Sequence, residues 1–141
     1  MIELKNRYAY IALLSSDEHG ISIEFPDLPG CLPCARDMDE ALDNAKEALG
    51  LHLWGMEQDG EDIPEPTKLN SINVEPDSVP VLVDVFMPPI RDRMRTKFVT
   101  KTVSLPAWLA DEANRDGVNI SGLLQKSLMD YLDVRAPKIR P

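Results

Sequence analysis

Residues 97–132 decide the fold of the C-terminal part of the chain, and they read KFVTKTVSLP, AWLADEANRDG and VNISGLLQKSLMDYL in succession. The first run alternates like a short strand, and the other two, parted by a glycine, have the apolar spacing of short helices. One strand and two short helices have too little material to bury their own apolar faces. We therefore expect this segment to pair with a second copy of itself.

The predicted strand has an apolar face and a hydroxyl-bearing face, because side chains alternate along a strand. The apolar face is expected to join two leucines of the second helix in the core of a homodimer. The residues of this expected dimer core are Val99, Val103, Leu105, Leu124 and Leu128. The hydroxyl face is formed by Thr100, Thr102 and Ser104. It would remain open to a partner.

The two predicted helices have clear ends. Pro106 suits a first helical turn, and Gly117 suits a helix C-terminus. Asn119 or Ser121 can cap the second helix. The whole arrangement resembles the ribbon-helix-helix DNA-binding module, whose two-stranded ribbon lies in the major groove. The plainer alternative is an amphipathic helical hairpin that packs on the rest of the chain.

Charge is divided unevenly along the 141 residues, whose net charge is −9. Residues 1–90 carry 18 acidic and 5 basic side chains, and residues 91–141 carry 6 acidic and 10 basic ones. The first part would repel DNA and suit a basic protein, whereas the second suits phosphate contacts. Besides the hydroxyl face, the residues expected to contact DNA are Arg91, Arg93, Arg95, Lys97, Lys101, Asn119 and Ser121.

The N-terminal part predicts an α+β layer of order β-β-β-α-β. The expected strands cover residues 8–14, 21–25, 31–36 and 79–87, with a helix from residue 37 to about 58. Asp37 and Glu40 have the spacing of a capping box at the start of that helix. Residues 61–78 are acidic and rich in proline, which is typical of a long loop.

Three stretches of the N-terminal part carry a family resemblance. They are the turn at residues 18–20, the run FPDLPGC at residues 25–31 and the run DEALDNAKEAL at residues 39–49. The sequence thereby resembles the HicB antitoxins. The resemblance implies a partial RNase-H-like N-terminal fold that binds and blocks HicA, an mRNA interferase with a dsRNA-binding-like fold. It also implies a C-terminal helix-turn-helix or ribbon-helix-helix domain that binds the operator of its own operon.

The resulting prediction is a non-enzymatic antitoxin without a cofactor, which occludes a HicA-like toxin and represses its own operon. Residues 1–90 would neutralise the toxin, residues 91–96 would form a basic linker, and residues 97–141 would bind operator DNA. The homodimer would form through the C-terminal domain, with a tetramer left open. The expected toxin contacts are Glu24, Asp27, Glu61, Asp62 and Glu65. An orphan repressor without a toxin is the first alternative.

A metal-dependent nuclease is the second alternative, since an RNase-H-like site needs converging carboxylates. Glu24 and Asp84 lie on predicted strands and Glu3 near a strand start, but their spacing does not indicate a metal cluster. Cys31 and Cys34 could form a redox pair or contribute to a zinc site, or they could be two small, partly buried side chains. No apolar run could span a membrane and no secretion signal is evident, so we expect a cytoplasmic protein.

Overall fold

The computed structural model describes residues 4–135 of the chain. It divides between Asp92 and Arg93 into two compact units, which we call unit 1 and unit 2 and describe separately. No helix within the described residues is long and apolar enough to cross a bilayer.

Unit 1 is an antiparallel four-stranded sheet with one long helix packed on it. Its elements are β1 (Arg7–Asp17), β2 (Gly20–Glu24), β3 (Cys34–Ala35), α1 (Met38–Asp59), a 3-10 turn (Leu69–Ser71) and β4 (Val79–Phe86). The strands lie in the order β3-β2-β1-β4. The predicted α+β class and the β-β-β-α-β order are therefore confirmed.

Strand β1 is central, but its two neighbours cover different parts of it. It pairs with β4 from Arg7 to Leu14 and with β2 only from Leu13 to Asp17. The β1–β2 hairpin closes at Gly20, whose φ is +133° and where an added Cβ would lie 2.6 Å from the Ala35 oxygen. Only glycine suits that position.

The core of unit 1 lies between one face of the sheet and α1. Alternate residues of the strands meet every third or fourth residue of the helix, as the two periodicities require. The buried core residues are Tyr10, Ala12, Ile23, Phe25, Leu28, Cys31, Ala35, Ala41, Ala45, Leu49, Leu53, Val83, Val85 and Met87.

Helix α1 has a defined signal at each end. Asp37 accepts a hydrogen bond from the Glu40 amide at 3.1 Å, which confirms half of the predicted capping box. The Glu40 carboxylate reaches the Arg36 amide instead of that of Asp37, also at 3.1 Å. Gly60, with φ of +69°, ends the helix in the left-handed conformation.

The predicted basic linker at residues 91–96 is helical instead, within α2 (Met87–Thr96). Pro88 and Pro89 stop β4, but they also fit a first helical turn, where no amide donor is required. Gly50 of α1 leaves the space into which Ile90 packs, because a Cβ at Gly50 would lie 2.2 Å from Ile90 Cδ1.

Unit 2 contains α3 (Ala107–Arg115) and α4 (Ile120–Leu132) in addition to the end of α2. Gly117 has φ of +64° in the turn between them. Asn119 caps α4 by accepting from the Gly122 amide at 3.1 Å. Of the two predicted caps, Asn119 is therefore the one used.

Residues 97–106 have no regular secondary structure, so the strand predicted at residues 97–105 is not formed in the single chain. A lone strand has no ladder partner for its amides and carbonyls. None of residues 93–135 is buried. Unit 2 as a single copy therefore has no hydrophobic core.

Candidate functional site

A groove of about 690 Å³ runs along one edge of unit 1, and we call it the acidic groove. One wall is the start of β1 and the other is the segment of residues 60–66, and Glu57 of α1 also lines the groove. The complete lining is Leu4, Lys5, Arg7, Tyr8, Ala9, Tyr10, Glu57, Gly60, Glu61, Asp62, Ile63, Pro64, Glu65 and Pro66. Three carboxylates thus lie on the wall that faces the strand.

Tyr10 fastens the wall of residues 60–66 to the sheet. Its hydroxyl donates to the Pro64 carbonyl at 2.6 Å. Burial, with smaller contributions from Tyr8, Asp27 and Glu65, raises the pKa of Tyr10 to about 12. The phenol therefore stays protonated as a donor at physiological pH. Ile63, on the same segment, packs against the hydrophobic core.

Asp27 fastens the same loop at a second point. Its carboxylate accepts from the Thr67 amide at 2.9 Å and from the Thr67 hydroxyl. Asp27 also lines an adjoining groove, together with Asp59, Glu61 and Asp62. The loop segment is therefore a fixed ridge between two acidic grooves.

Arg91 is bound within unit 1 and pairs with Glu57, which lines the acidic groove. It pairs with Glu57 at 2.6 Å, with the Arg91 side chain 20% and the Glu57 side chain 2% exposed. It also donates to the Lys5 carbonyl at 2.6 Å and to the Asn6 side chain at 2.9 Å. The hydrogen bonds that Arg91 donates to the Glu57 carboxylate raise the pKa of Arg91. Four of the five N–H donors of Arg91 are thereby engaged within unit 1, which leaves one for the predicted contact with DNA phosphate.

The negative charge of the groove is only partly neutralised. Lys5 pairs with Glu65 across the mouth at 3.3 Å. Arg7 turns away to Asp84, at 2.7 Å. Glu61 and Asp62 have no ion-pair partner among the described residues. The ridge therefore offers two carboxylates to a cationic partner.

The structure brings together four of the five residues predicted to contact a toxin. Asp27, Glu61, Asp62 and Glu65 line the two grooves. Glu24 lies on β2 and lines neither of them. Sequence reasoning missed Tyr8 and Tyr10, although their spacing of two, which places both on one face of a strand, was a usable signal.

The residues considered for metal or redox chemistry are placed differently. Among residues 4–135 no three His, Cys, Asp or Glu side chains are grouped to hold a metal ion, and Glu3 lies outside the described residues. The charge of Lys46, together with Arg7, lowers the pKa of Asp84. Cys31 is buried and Cys34 exposed. Burial raises the pKa of Cys31 to about 11, the opposite of an activated thiol.

In unit 2 the residues of the strand that are predicted to contact DNA and the residues predicted to form the dimer core are all exposed. The hydroxyl-bearing residues Thr100, Thr102 and Ser104 are exposed, as are Lys97 and Lys101. The predicted dimer-core residues Val99, Val103, Leu105, Leu124 and Leu128 are exposed as well. Arg93 and Arg95 lie on α2, Asn119 caps α4 and Ser121 lies in its first turn.

A family model described as the HicB-like antitoxin of bacterial toxin-antitoxin systems matches residues 9–127. The match spans both units. The chain belongs to the HicB-like antitoxin family.

Curated relatives match parts of this HicB-like chain. A 14.9 kDa protein from the rep–hol intergenic region of Haemophilus phage HP1 is 35% identical over 69 residues, which are 47% of this chain and 52% of that protein. A UPF0150 protein of Helicobacter pylori is 40% identical over 48 residues, which are 34% of this chain and 67% of that protein. The chain thus spans about half the length of the phage relative.

The fold of this HicB-like antitoxin is similar to a solved structure titled as a toxin-antitoxin complex from Streptococcus pneumoniae. The TM-score is 0.58 at 20% identity, covering 89% of this chain and 99% of that one. At this identity the likeness shows the fold alone.

Proposed function

We propose that this chain neutralises a HicA-like toxin with unit 1 and represses its own operon with unit 2. The observation that carries the first half is the acidic groove, a fixed and incompletely neutralised surface on the acidic half of an antitoxin chain. The mechanism is occlusion, in which unit 1 covers the RNA-binding surface of a basic toxin. Unit 1 would keep the partial RNase-H-like fold of its family and supply no chemistry of its own.

Charge complementarity directs such a complex more than it fixes the final affinity. Glu61 and Asp62 stand on the ridge without an ion-pair partner among residues 4–135, so they are available to pair with lysine or arginine. Asp27 acts indirectly, since its carboxylate holds Thr67. Glu65 is shared with Lys5, which a cation of the toxin would have to displace.

The 141-residue chain, mixed with a purified cognate HicA-like protein, tests this half. The double variant E61Q/D62N should slow association and make it less sensitive to salt. E75Q/D77N is the matched control, because it removes the same charge from the same loop outside both grooves. If the two double variants change association equally, the toxin does not bind specifically at Glu61 and Asp62, and this assignment of the toxin-binding surface is wrong. If the chain binds no such protein, the orphan repressor is favoured.

The second half of the proposal is a ribbon-helix-helix dimer built from unit 2. The strand of residues 97–105 would form when two copies pair, because each strand then provides the backbone hydrogen-bond partners of the other. Its apolar face would join Leu124 and Leu128 in a shared core. This accounts for the lack of any buried residue between positions 93 and 135. A tetramer of two such dimers is compatible with the arrangement.

The ribbon would place Thr100, Thr102 and Ser104 against base edges in the major groove. Lys97, Lys101 and the α2 cations Arg93 and Arg95 would contact phosphate. The capped start of α4, at Asn119 and Ser121, would hold another phosphate through its amides.

DNA from the promoter of its own operon, compared with random DNA, tests this half. Thr102→Ala should cost about 1–3 kcal/mol on the promoter site and little on random DNA. Lys97→Ala should weaken both alike and flatten the salt dependence. Identical behaviour of both variants on both DNAs would refute the assignment of the hydroxyl face to base contacts.

A further inference from the structure

One edge of β1 lacks a strand neighbour where it borders the acidic groove. The Met87 amide donates to the Asn6 carbonyl at 2.7 Å. In an antiparallel ladder every second residue points its amide and carbonyl to the same side. Even-numbered residues from Asn6 onward therefore face β4, and odd-numbered ones face β2.

Strand β2 does not extend far enough to meet all of the odd-numbered residues. It reaches Leu13 of β1 and stops. Arg7, Ala9 and Ile11 therefore direct amides and carbonyls to a side without a strand. No backbone hydrogen bond joins these three residues to another described segment on that side.

The acidic groove runs beside the first part of this open edge, from Arg7 to Tyr10, with residues 60–66 as its opposite wall. Ile11 borders a smaller adjoining cavity, which Pro26, Asp27 and Thr67 also line. Lys5, two residues before Arg7, would direct its carbonyl to the same side, but that carbonyl already accepts a hydrogen bond from Arg91 at 2.6 Å. The open stretch therefore begins at Arg7. Unpaired strand edges bind extended segments through main-chain hydrogen bonds, and flanking side chains select the sequence.

The opposite wall defines the chemistry of the occupant. Glu61 and Asp62 stand there without ion-pair partners among residues 4–135. The Lys5–Glu65 pair at the mouth shows that a lysine can reach this wall. An extended segment with lysine or arginine at alternate positions would satisfy both the edge and the wall.

We propose that unit 1 binds an extended, basic segment of its toxin as an added strand along residues 7–11 of β1. The inference rests on the toxin-binding function proposed above and names the surface that performs it. The toxin segment occupies the place where a longer β2 would lie. Its cations replace Lys5 as partners of the acidic wall.

Residue-resolved amide exchange by NMR, on the chain alone and with a cognate HicA-like protein, tests this inference. In the free chain the amides of Tyr8, Tyr10 and Ala12 should exchange slowly, because they face β4. Those of Ala9 and Ile11 should exchange fast. In the complex Ala9 and Ile11 should slow by about tenfold or more. A complex in which both stay fast would overturn the added strand while leaving the toxin function intact.

Ala9→Pro provides a second test, because it removes a groove-facing amide without touching the ladder to β4. We expect at least a tenfold loss of toxin affinity, whereas Ala9→Val, which keeps the amide, should bind nearly as the parent does. Slow exchange at Tyr10 shows that the proline variant is folded. If Ala9→Pro binds as well as Ala9→Val, the inference is wrong. If the parent chain forms no complex at all, the proposed function itself fails.

Discussion

The ion pair between Arg91 and Glu57 attaches the first turns of α2 to α1, and its removal should destabilise unit 1 strongly. Glu57 is nearly inaccessible and Arg91 four-fifths covered. Truncating one partner of a buried pair costs about 3–5 kcal/mol, because the other charge is left buried. Since Arg91 retains some contact with water, we expect about 2–3 kcal/mol for Arg91→Ala.

That loss is measurable in a unit of this size. One kcal/mol lowers the melting temperature by about 4–8 °C for a domain of under about 100 residues, so the expected shift is about 8–24 °C. Urea unfolding, followed by Trp54 fluorescence in a Trp108→Phe background, reports on unit 1. Protein concentration must be held fixed, because the proposed dimerisation would add to the apparent stability.

Arg95→Ala is the matched control, since it removes the same charge from an exposed site on the same helix. It should change stability by no more than about 0.5 kcal/mol. In a double-mutant cycle, the Glu57→Ala and Arg91→Ala losses should sum to more than the double variant loses. Additive losses, or an Arg91→Ala loss no greater than that of Arg95→Ala, would refute the role of the pair.

Three further predictions concern packing, ionisation and thiol reactivity in unit 1. Gly50→Ala should cost about 1–3 kcal/mol by overpacking, and adding Ile90→Val should recover part of it in the same urea assay. The pKa of Tyr10 is raised from 10.0 to about 12, so stability is retained below pH 10 and falls as pH rises from 10 towards 12. Tyr10→Phe should lose that part of the alkaline dependence in pH-resolved calorimetry. Iodoacetamide at pH 8 should modify Cys34 in the folded chain and spare Cys31 until urea is added, as mass spectrometry of peptides would show.

Local patterns in the sequence predicted most elements of unit 1. The alternation in β2, the Asp37 cap and Gly60 act within a few residues, so the hairpin and α1 could be placed closely. Helix α2 could not, because a Pro-Pro step suits both a break and a first helical turn. The contact that favours the helical turn is the hydrogen bond from Arg91 to Glu57, a residue 34 positions away in the sequence.

The candidate site was predictable in charge but not in shape. The acidic residues of the loop at 61–65 are evident from composition, and the structure places them on one ridge. The open edge of β1 exists because β2 ends opposite Leu13. No local sequence pattern predicts the residue at which β2 ends. The absence of a core in unit 2 agrees with the pairing expected from its sequence, but the partner's contribution lies outside a single chain.

RNA cleavage by a cognate HicA-like protein, titrated with the 141-residue chain, tests the central claim most directly. Occlusion predicts that cleavage falls in proportion to added chain and stops when each toxin has one unit 1. Slow exchange of the Tyr10 amide shows whether the Ala9→Pro variant is folded. Occlusion also predicts that this folded variant must be added in clear excess over the toxin to reach the same inhibition. Cleavage that continues undiminished at a saturating excess of chain would contradict neutralisation by occlusion.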